Sequence, residues 1–284
     1  MNESMEPRRG SPSSPPFVEA SLKYLASADE IPVYVASVGG GDVTEHKGDY
    51  VMRPVRIRNG RLRAGGFSLD REGFRLTAHK SSVTDFYDDA QIANVHEAEV
   101  KALVKKVTSC EGVEIFDHTR RAASLEVQKE RTIREPASII HNDYTARSGP
   151  KRLRDHFSDD PEQATKLLEG RFAIVNVWRS IRGTVMNAPL TLCDASTVAP
   201  ADLVAVRRES RTRIGEIQQA LYSPTHRWYY FPQMTMDEAL LIKTYDSADD
   251  GRARFTIHTS FDDPNAPDDS PARESLETRC FVFF

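Results

Sequence analysis

Two short motifs carry side chains able to hold a metal ion. SIIHNDYT sets His141 and Asp143 two residues apart at the end of an apolar strand, where residues i and i+2 share a face. One imidazole and one carboxylate leave a metal short of ligands. A second imidazole would complete the two-histidine, one-carboxylate set of non-haem Fe(II) oxygenases, which keeps coordination positions open. Two histidines compete for that place: His226 in YSPTHRWYYFP precedes an aromatic strand, and His258 in RFTIHTSFDDP follows an apolar one. His258 is preferred because Arg273 and Ser275 come soon after it on one face of the next strand. A guanidinium fork beside a hydroxyl clamps a carboxylate. A dicarboxylic co-substrate bound to the metal at one end would therefore meet Arg273 at the other.

Each feature also has a plainer role. H-x-D alone is a common turn pair, Arg273 has Asp268, Asp269 and Glu277 within reach along the chain, and His226 can pack on Trp228 and Tyr230. Around the motifs, Tyr144, Thr145 and Arg147 follow the first ligands directly. Asn176 and Trp178 share one face of an apolar strand, with Arg179, Arg182 and Asp194 close behind. Tyr144, Arg147, Asn176, Trp178, Arg182 and His226 are the candidates for the substrate pocket. Arg147, Arg179 and Arg182 hint at an acidic substrate. His46, His79, His96, His118 and His156 lack partner spacing, and His96 and His156 are expected on solvated helix faces.

The elements that must position these residues read as mostly β. Strand candidates recur from Leu190 to Phe284, separated by Pro, Gly, Asp or Ser, a rhythm that predicts an antiparallel sandwich or barrel. Arg171–Arg179 is apolar on both faces and so central. Asp88–Thr108 and Pro150–Glu169 read as helices, the second interrupted near Pro161 and ended by Gly170. The expected organisation is a mobile tail over 1–16 and one catalytic domain over 17–284. Within that domain an α+β layer (17–130) packs on an all-β core (135–284), with no Pro/Gly/Ser-rich linker between them.

The 284-residue chain has a formal charge of −4 and a pI near 6.1, which argues against a dedicated nucleic-acid partner. Three cysteines, Cys110, Cys193 and Cys280, make neither a disulfide framework nor a thiolate zinc site. They suit a reducing compartment, the cytoplasm. No stretch is long and apolar enough to span a membrane. The expected partner is a small molecule, and no pattern sets an oligomeric state.

The order His141-x-Asp143, His258, Arg273-x-Ser275 resembles that of the Fe(II)/2-oxoglutarate-dependent oxygenases. More closely, the chain resembles the AsaB/CmcJ-like hydroxylase/desaturase family through HNDYTARSGPKRL, RFAIVNVWRSIRGTVMNAPLTLCDAST, YSPTHRWYYFP, MDEALLIKTYDS, ARFTIHTSFDDP and PARESLETRCFVF, in consistent order over 141–284. The resemblance implies a double-stranded β-helix (jelly-roll, cupin-like) core with flanking helices. It implies Fe(II) on His141, Asp143 and His258, 2-oxoglutarate on Arg273 and Ser275, and O2 as oxidant. The reaction would be hydroxylation, desaturation or oxidative cyclisation of a small natural product. The alternatives are a jelly roll that binds without turnover and a metal-dependent dioxygenase that needs no keto acid.

Overall fold

A computed structural model describes residues 15–29, 32–42, 44–210 and 214–284. The strands, in chain order, are β1 (Phe17–Leu25), β2 (Val33–Val35), β3 (Glu45–Lys47), β4 (Tyr50–Asn59), β5 (Phe74–Ala78), β6 (Gly112–Ala122), β7 (His141–Asn142), β8 (Phe172–Ser180), β9 (Leu190–Cys193), β10 (Leu203–Glu209), β11 (Ile214–Ala220), β12 (Trp228–Tyr230), β13 (Glu238–Asp246), β14 (His258–Ser260) and β15 (Glu274–Phe283). The helices are α1 (Asp89–Gln91), α2 (Glu97–Thr108), α3 (Leu125–Arg131), α4 (Ser148–His156) and α5 (Pro161–Glu169), with a π-helical turn over Ile92–His96 joining α1 to α2.

Two sheets face each other, as in a jelly roll. The larger runs β1-β4-β12-β9-β14-β7-β11-β10-β2-β3 and the smaller β5-β13-β8-β15-β6. Alternation along β8 explains the layering. Its odd-numbered residues Val175 and Val177 join Leu241, Cys280 and Val282 under Val100, Leu103 and Val104 of α2. Its even-numbered residues face the larger sheet, where Trp178 packs with Leu192, Leu240 and Ile242. Both faces of β8 are covered, so it carries no exposed residue, as its two-sided apolar pattern predicts.

The helices follow the sequence signals closely. The Asp88 carboxylate accepts from the Ala90 and Gln91 amides to start α1, and Asp160 with Pro161 starts α5. Pro161 does separate two helices, α4 and α5.

β1–β4 extend the larger sheet, β5 and β6 edge the smaller one, and α2 covers a face of the smaller sheet. Two expectations change. The segment before His258 is not a strand, because β14 begins at His258 itself. His96 is fully buried, with Nε2 2.9 Å from the Thr278 hydroxyl. Of the expected tail, residues 1–14 lie outside the described residues, while the carbonyls of Pro15 and Pro16 accept hydrogen bonds from Asn59.

Candidate metal centre and its cavity

β7 and β14 are neighbours in the middle of the larger sheet, paired antiparallel with His258 directly opposite His141. Their ring centroids are 4.6 Å apart. Asp143, two residues on, returns to the same side. One ligand atom from each of His141, Asp143 and His258 lies within 4.8 Å of the others. Each ring is oriented by its own backbone. His141 Nδ1 donates to the Ile139 carbonyl at 2.8 Å and His258 Nδ1 donates to the Thr256 carbonyl at 2.9 Å. A carbonyl can only accept, so in a neutral ring held this way Nε2 is the nitrogen that keeps a lone pair.

The electrostatics agree with a cation site. Burial, with His258 alongside, pushes the His141 pKa down to about 3, which keeps that ring neutral. Burial works in the opposite direction on Asp143. The charge of the Arg279 guanidinium, with the hydrogen bond from Asn176, outweighs it and holds the Asp143 carboxyl well below the usual carboxylate range. Asp143 Oδ2 accepts from Asn176 Nδ2 at 2.7 Å and from Arg279 Nε at 3.1 Å. Oδ1 stays turned toward His141 Nε2, 3.8 Å away. Two imidazole nitrogens and one carboxylate oxygen fit a divalent first-row cation and leave coordination positions open.

Two residues that the motifs did not single out hold this geometry. Asn142 is fully buried, and its amide nitrogen lies 2.6 Å from the Tyr144 carbonyl, 3.0 Å from Gln218 Oε1 and 3.0 Å from the Thr244 carbonyl. Its oxygen accepts from the Thr256 amide at 3.2 Å. The residue between His141 and Asp143 thus ties both sheets and the approach to β14 together. Arg279 joins Asp143 to Asp117 at 2.5 Å and to Thr119 at 2.8 Å, and also bonds Glu277. Period-2 counting from Arg273 and Ser275 reaches Glu277 and Arg279 on the same strand face, and that signal would have found it.

A cavity of about 670 Å³ opens beside His141 and Asp143, with Tyr144, Arg121 and Arg279 in its wall. Of the six pocket candidates, Tyr144 is the one that lines this cavity. Asn176 is fully buried against Asp143 and does not line the cavity. Trp178 lies in the core, with the Arg273 guanidinium 5.5 Å from its ring centre. Arg273 is buried. Nη1 donates to the Ala188 carbonyl, and Nε has no partner among the described residues. Burial, and then Arg121, presses its pKa down to about 9. Ser275 is buried beside it on the strand, opposite Arg121.

The other three pocket candidates lie elsewhere. Arg147 is exposed at the start of α4 and pairs with Glu216. Arg182, beyond the end of β8, pairs with Glu274 at 2.7 Å. His226 stands 3.1 Å from the Tyr24 hydroxyl and 3.2 Å from Asp202, remote from β7 because β12 pairs with β4 and β9. Arg179 projects from the opposite face of β8 and donates to the His79 and Met236 carbonyls.

Comparison with known proteins gives a consistent set of likenesses. A family model described as an oxidoreductase/YMDC permease-like domain matches residues 22–283. No helix among the described residues is long and apolar enough to cross a membrane. The hydroxylase/desaturase CTB9 of Cercospora beticola is 35% identical over 269 residues, covering 87% of this chain and 81% of that protein. The Fe(II)/2-oxoglutarate-dependent dioxygenase nvfI of Aspergillus novofumigatus is 30% identical over 248 residues, covering 84% of this chain and 86% of that one. A solved structure of the iron and alpha-ketoglutarate-dependent endoperoxidase NvfI superposes with a TM-score of 0.82 at 27% identity, covering 96% of this chain and 99% of that one.

Proposed function

The chain belongs to the hydroxylase/desaturase family of Fe(II)/2-oxoglutarate-dependent oxygenases, and on that premise we propose that His141, Asp143 and His258 hold its iron while Arg273 with Ser275 holds the far carboxylate of 2-oxoglutarate. The observation that carries the reading is the convergence of three ligand atoms within 4.8 Å, with both imidazole Nδ1 atoms already committed to backbone carbonyls. Iron with 2-oxoglutarate and O2 supplies oxidative decarboxylation to succinate and CO2, coupled to removal of a hydrogen atom from the substrate.

The protein's part is positional. The paired strands fix the two imidazoles before any metal arrives, so little ordering is needed on binding. Asn176 and Arg279 occupy one oxygen of Asp143, and the other, on the side of His141, is the one that would bind the metal. The buried Arg273 guanidinium, with its unpartnered Nε, supports the co-substrate role, because a desolvated cation gains most from an anion. Tyr144 in the cavity wall supports a role beside the substrate.

Residues 17–284 act in this reading as one catalytic unit, since strands from both ends of that span build each sheet. The substrate is a small natural product of secondary metabolism, oxidised by hydroxylation, desaturation or cyclisation. A cytoplasmic location agrees with three free, buried cysteines. The test is spectroscopic. Anaerobic addition of Fe(II) and then 2-oxoglutarate gives a weak visible charge-transfer band, and His258→Ala loses it. A wild-type protein that binds iron without developing the band overturns the co-substrate assignment.

A further inference from the structure

The wall of the cavity beside His141 and Asp143 is basic, and its basic groups come from separate elements. Arg121 lies on β6, Arg134 follows α3, and Arg208 lies on β10. The acids of the same wall are already engaged. Asp143 and Asp117 bond to Arg279, Asp155 to Lys151, and Glu216 to Arg147 and Thr145. None of the described carboxylates lies within ion-pair distance of Arg121 or Arg134. Arg121 Nη1 donates instead to the Glu135 carbonyl at 2.8 Å.

The fold brings these cations together. A backbone bridge joins Arg121 to Arg134, and the Ala122 amide bonds the Arg134 carbonyl at 3.0 Å. Arg208 has its guanidinium 5.9 Å from the ring of Tyr34, another wall residue. Burial, followed by the charges of Arg121 and Arg208, lowers the pKa of Arg134. Half-buried charges of one sign repel, and an anion set among them relieves that cost. Guanidinium groups bind oxyanions with paired, directional hydrogen bonds.

We propose that Arg121, Arg134 and Arg208 bind an oxyanion carried by the substrate, a carboxylate or a phosphate, so that the rest of the molecule reaches back toward His141 and Asp143. This deepens the oxygenase reading and rests on it for the chemistry at the metal. Arg121 adjoins the proposed Arg273 clamp, since it lies opposite Ser275 on the neighbouring strand, so Arg134 and Arg208 are the positions at which the anion site is tested. Arginines flagged by sequence proximity, Arg147, Arg179 and Arg182, play no part in it.

The experiment is calorimetric titration of the full chain, loaded with Mn(II) and saturating 2-oxoglutarate, with 2-naphthoate, 2-naphthyl phosphate and methyl 2-naphthoate. At least one anion should bind about tenfold or more tighter than the neutral ester, and the tighter of the two anions identifies the oxyanion. Arg134→Gln and Arg208→Gln should each weaken the anion about tenfold and leave the ester unchanged, with Arg134→Lys restoring part of the loss. Equal binding of acid and ester, no anion binding, or anion binding unaffected in folded Gln variants overturns the proposal. The acid-to-ester ratio needs no variant, so a variant that fails to fold does not shield the idea. The charge-transfer band of anaerobic Fe(II) enzyme with 2-oxoglutarate separates the two levels of inference. Its persistence in both Gln variants leaves the oxygenase reading standing whatever the anion does, and its absence from the wild type sinks that reading alone. Displacement of the band by naphthoate would place the anion at the co-substrate clamp and overturn the separate site.

Discussion

His141 and His258 stand directly opposite each other on two antiparallel strands, and each ring donates Nδ1 to the carbonyl two residues before it. The same local device, used on both strands, presents two Nε2 atoms to one point. His226 has a different environment, with Nε2 near Asp202 and Nδ1 near Tyr24. His258→Ala should lower Fe(II) affinity about 100-fold or more, while His226→Ala should leave it intact and cost about 1–3 kcal/mol of stability through the lost buried hydrogen bonds. Metal titration combined with thermal denaturation checks both. An iron affinity that falls with His226→Ala and survives His258→Ala would reverse the assignment.

Arg273 separates an enzyme that uses a keto acid from one that does not. Its guanidinium is buried, and Nε has no partner among the described residues. Arg273→Ala should cost about 2–5 kcal/mol of 2-oxoglutarate binding, which is a loss of orders of magnitude in affinity, with iron still bound. Arg273→Lys should recover only part, because an ammonium lacks the fork. The measurements are iron stoichiometry and the 2-oxoglutarate dependence of the charge-transfer band. Unchanged co-substrate affinity in Arg273→Ala would place the clamp elsewhere.

The local chemistry was legible in the sequence because it obeys short-range rules. His141 and Asp143 share a face by strand alternation, and β8 is apolar on both sides because both sides are covered. What was not legible depends on which strands become neighbours. The choice between His258 and His226 turns on β14 lying beside β7 while β12 lies beside β4 and β9. Arg121 and Arg134 meet through a backbone bridge between segments that no periodicity connects. Arg147 and Arg182 follow functional strands in sequence, but each sits past a strand end, where the chain turns toward solvent and another acid. Proximity along the chain was a poor guide to proximity in the cavity.

Asn142 offers a test of how the triad is held. Its side chain bonds to groups on both sheets and to the segment that enters β14, all without solvent. Asn142→Leu keeps the size and removes every bond, leaving the Thr256 amide without that acceptor. The expected loss is about 2–4 kcal/mol of unfolding free energy, read by urea denaturation. Metal affinity should fall in the same variant under conditions where it remains folded, because the residue sits between the two ligands of one motif. A stable variant with unchanged metal affinity would show that strand pairing alone positions His141 and Asp143.

His96 should make stability depend on pH. It is fully buried in the turn that leads into α2, with Nε2 on the Thr278 hydroxyl, which is also 3.0 Å from His118 Nδ1. Burial first, then the charges of Arg179, His118 and His79, hold its pKa down at about 3, with Glu99 opposing them. The sign follows from linkage. The unfolded chain takes up a proton on this histidine below its ordinary value of 6.5, and the folded chain does so only near 3. Folding stability is therefore full above the ordinary value and declines as pH falls between the two, by about 2 kcal/mol from pH 7 to pH 5 for this group. Other depressed histidines, His46 and His141 among them, add to the same slope. Comparing urea unfolding of wild type and His96→Gln at pH 7 and pH 5 isolates the contribution, since glutamine can keep the bond to Thr278 and does not titrate. The wild type should lose about 2 kcal/mol more than the variant over that interval. Identical losses would mean that the His96 pocket takes up water and a proton without unfolding.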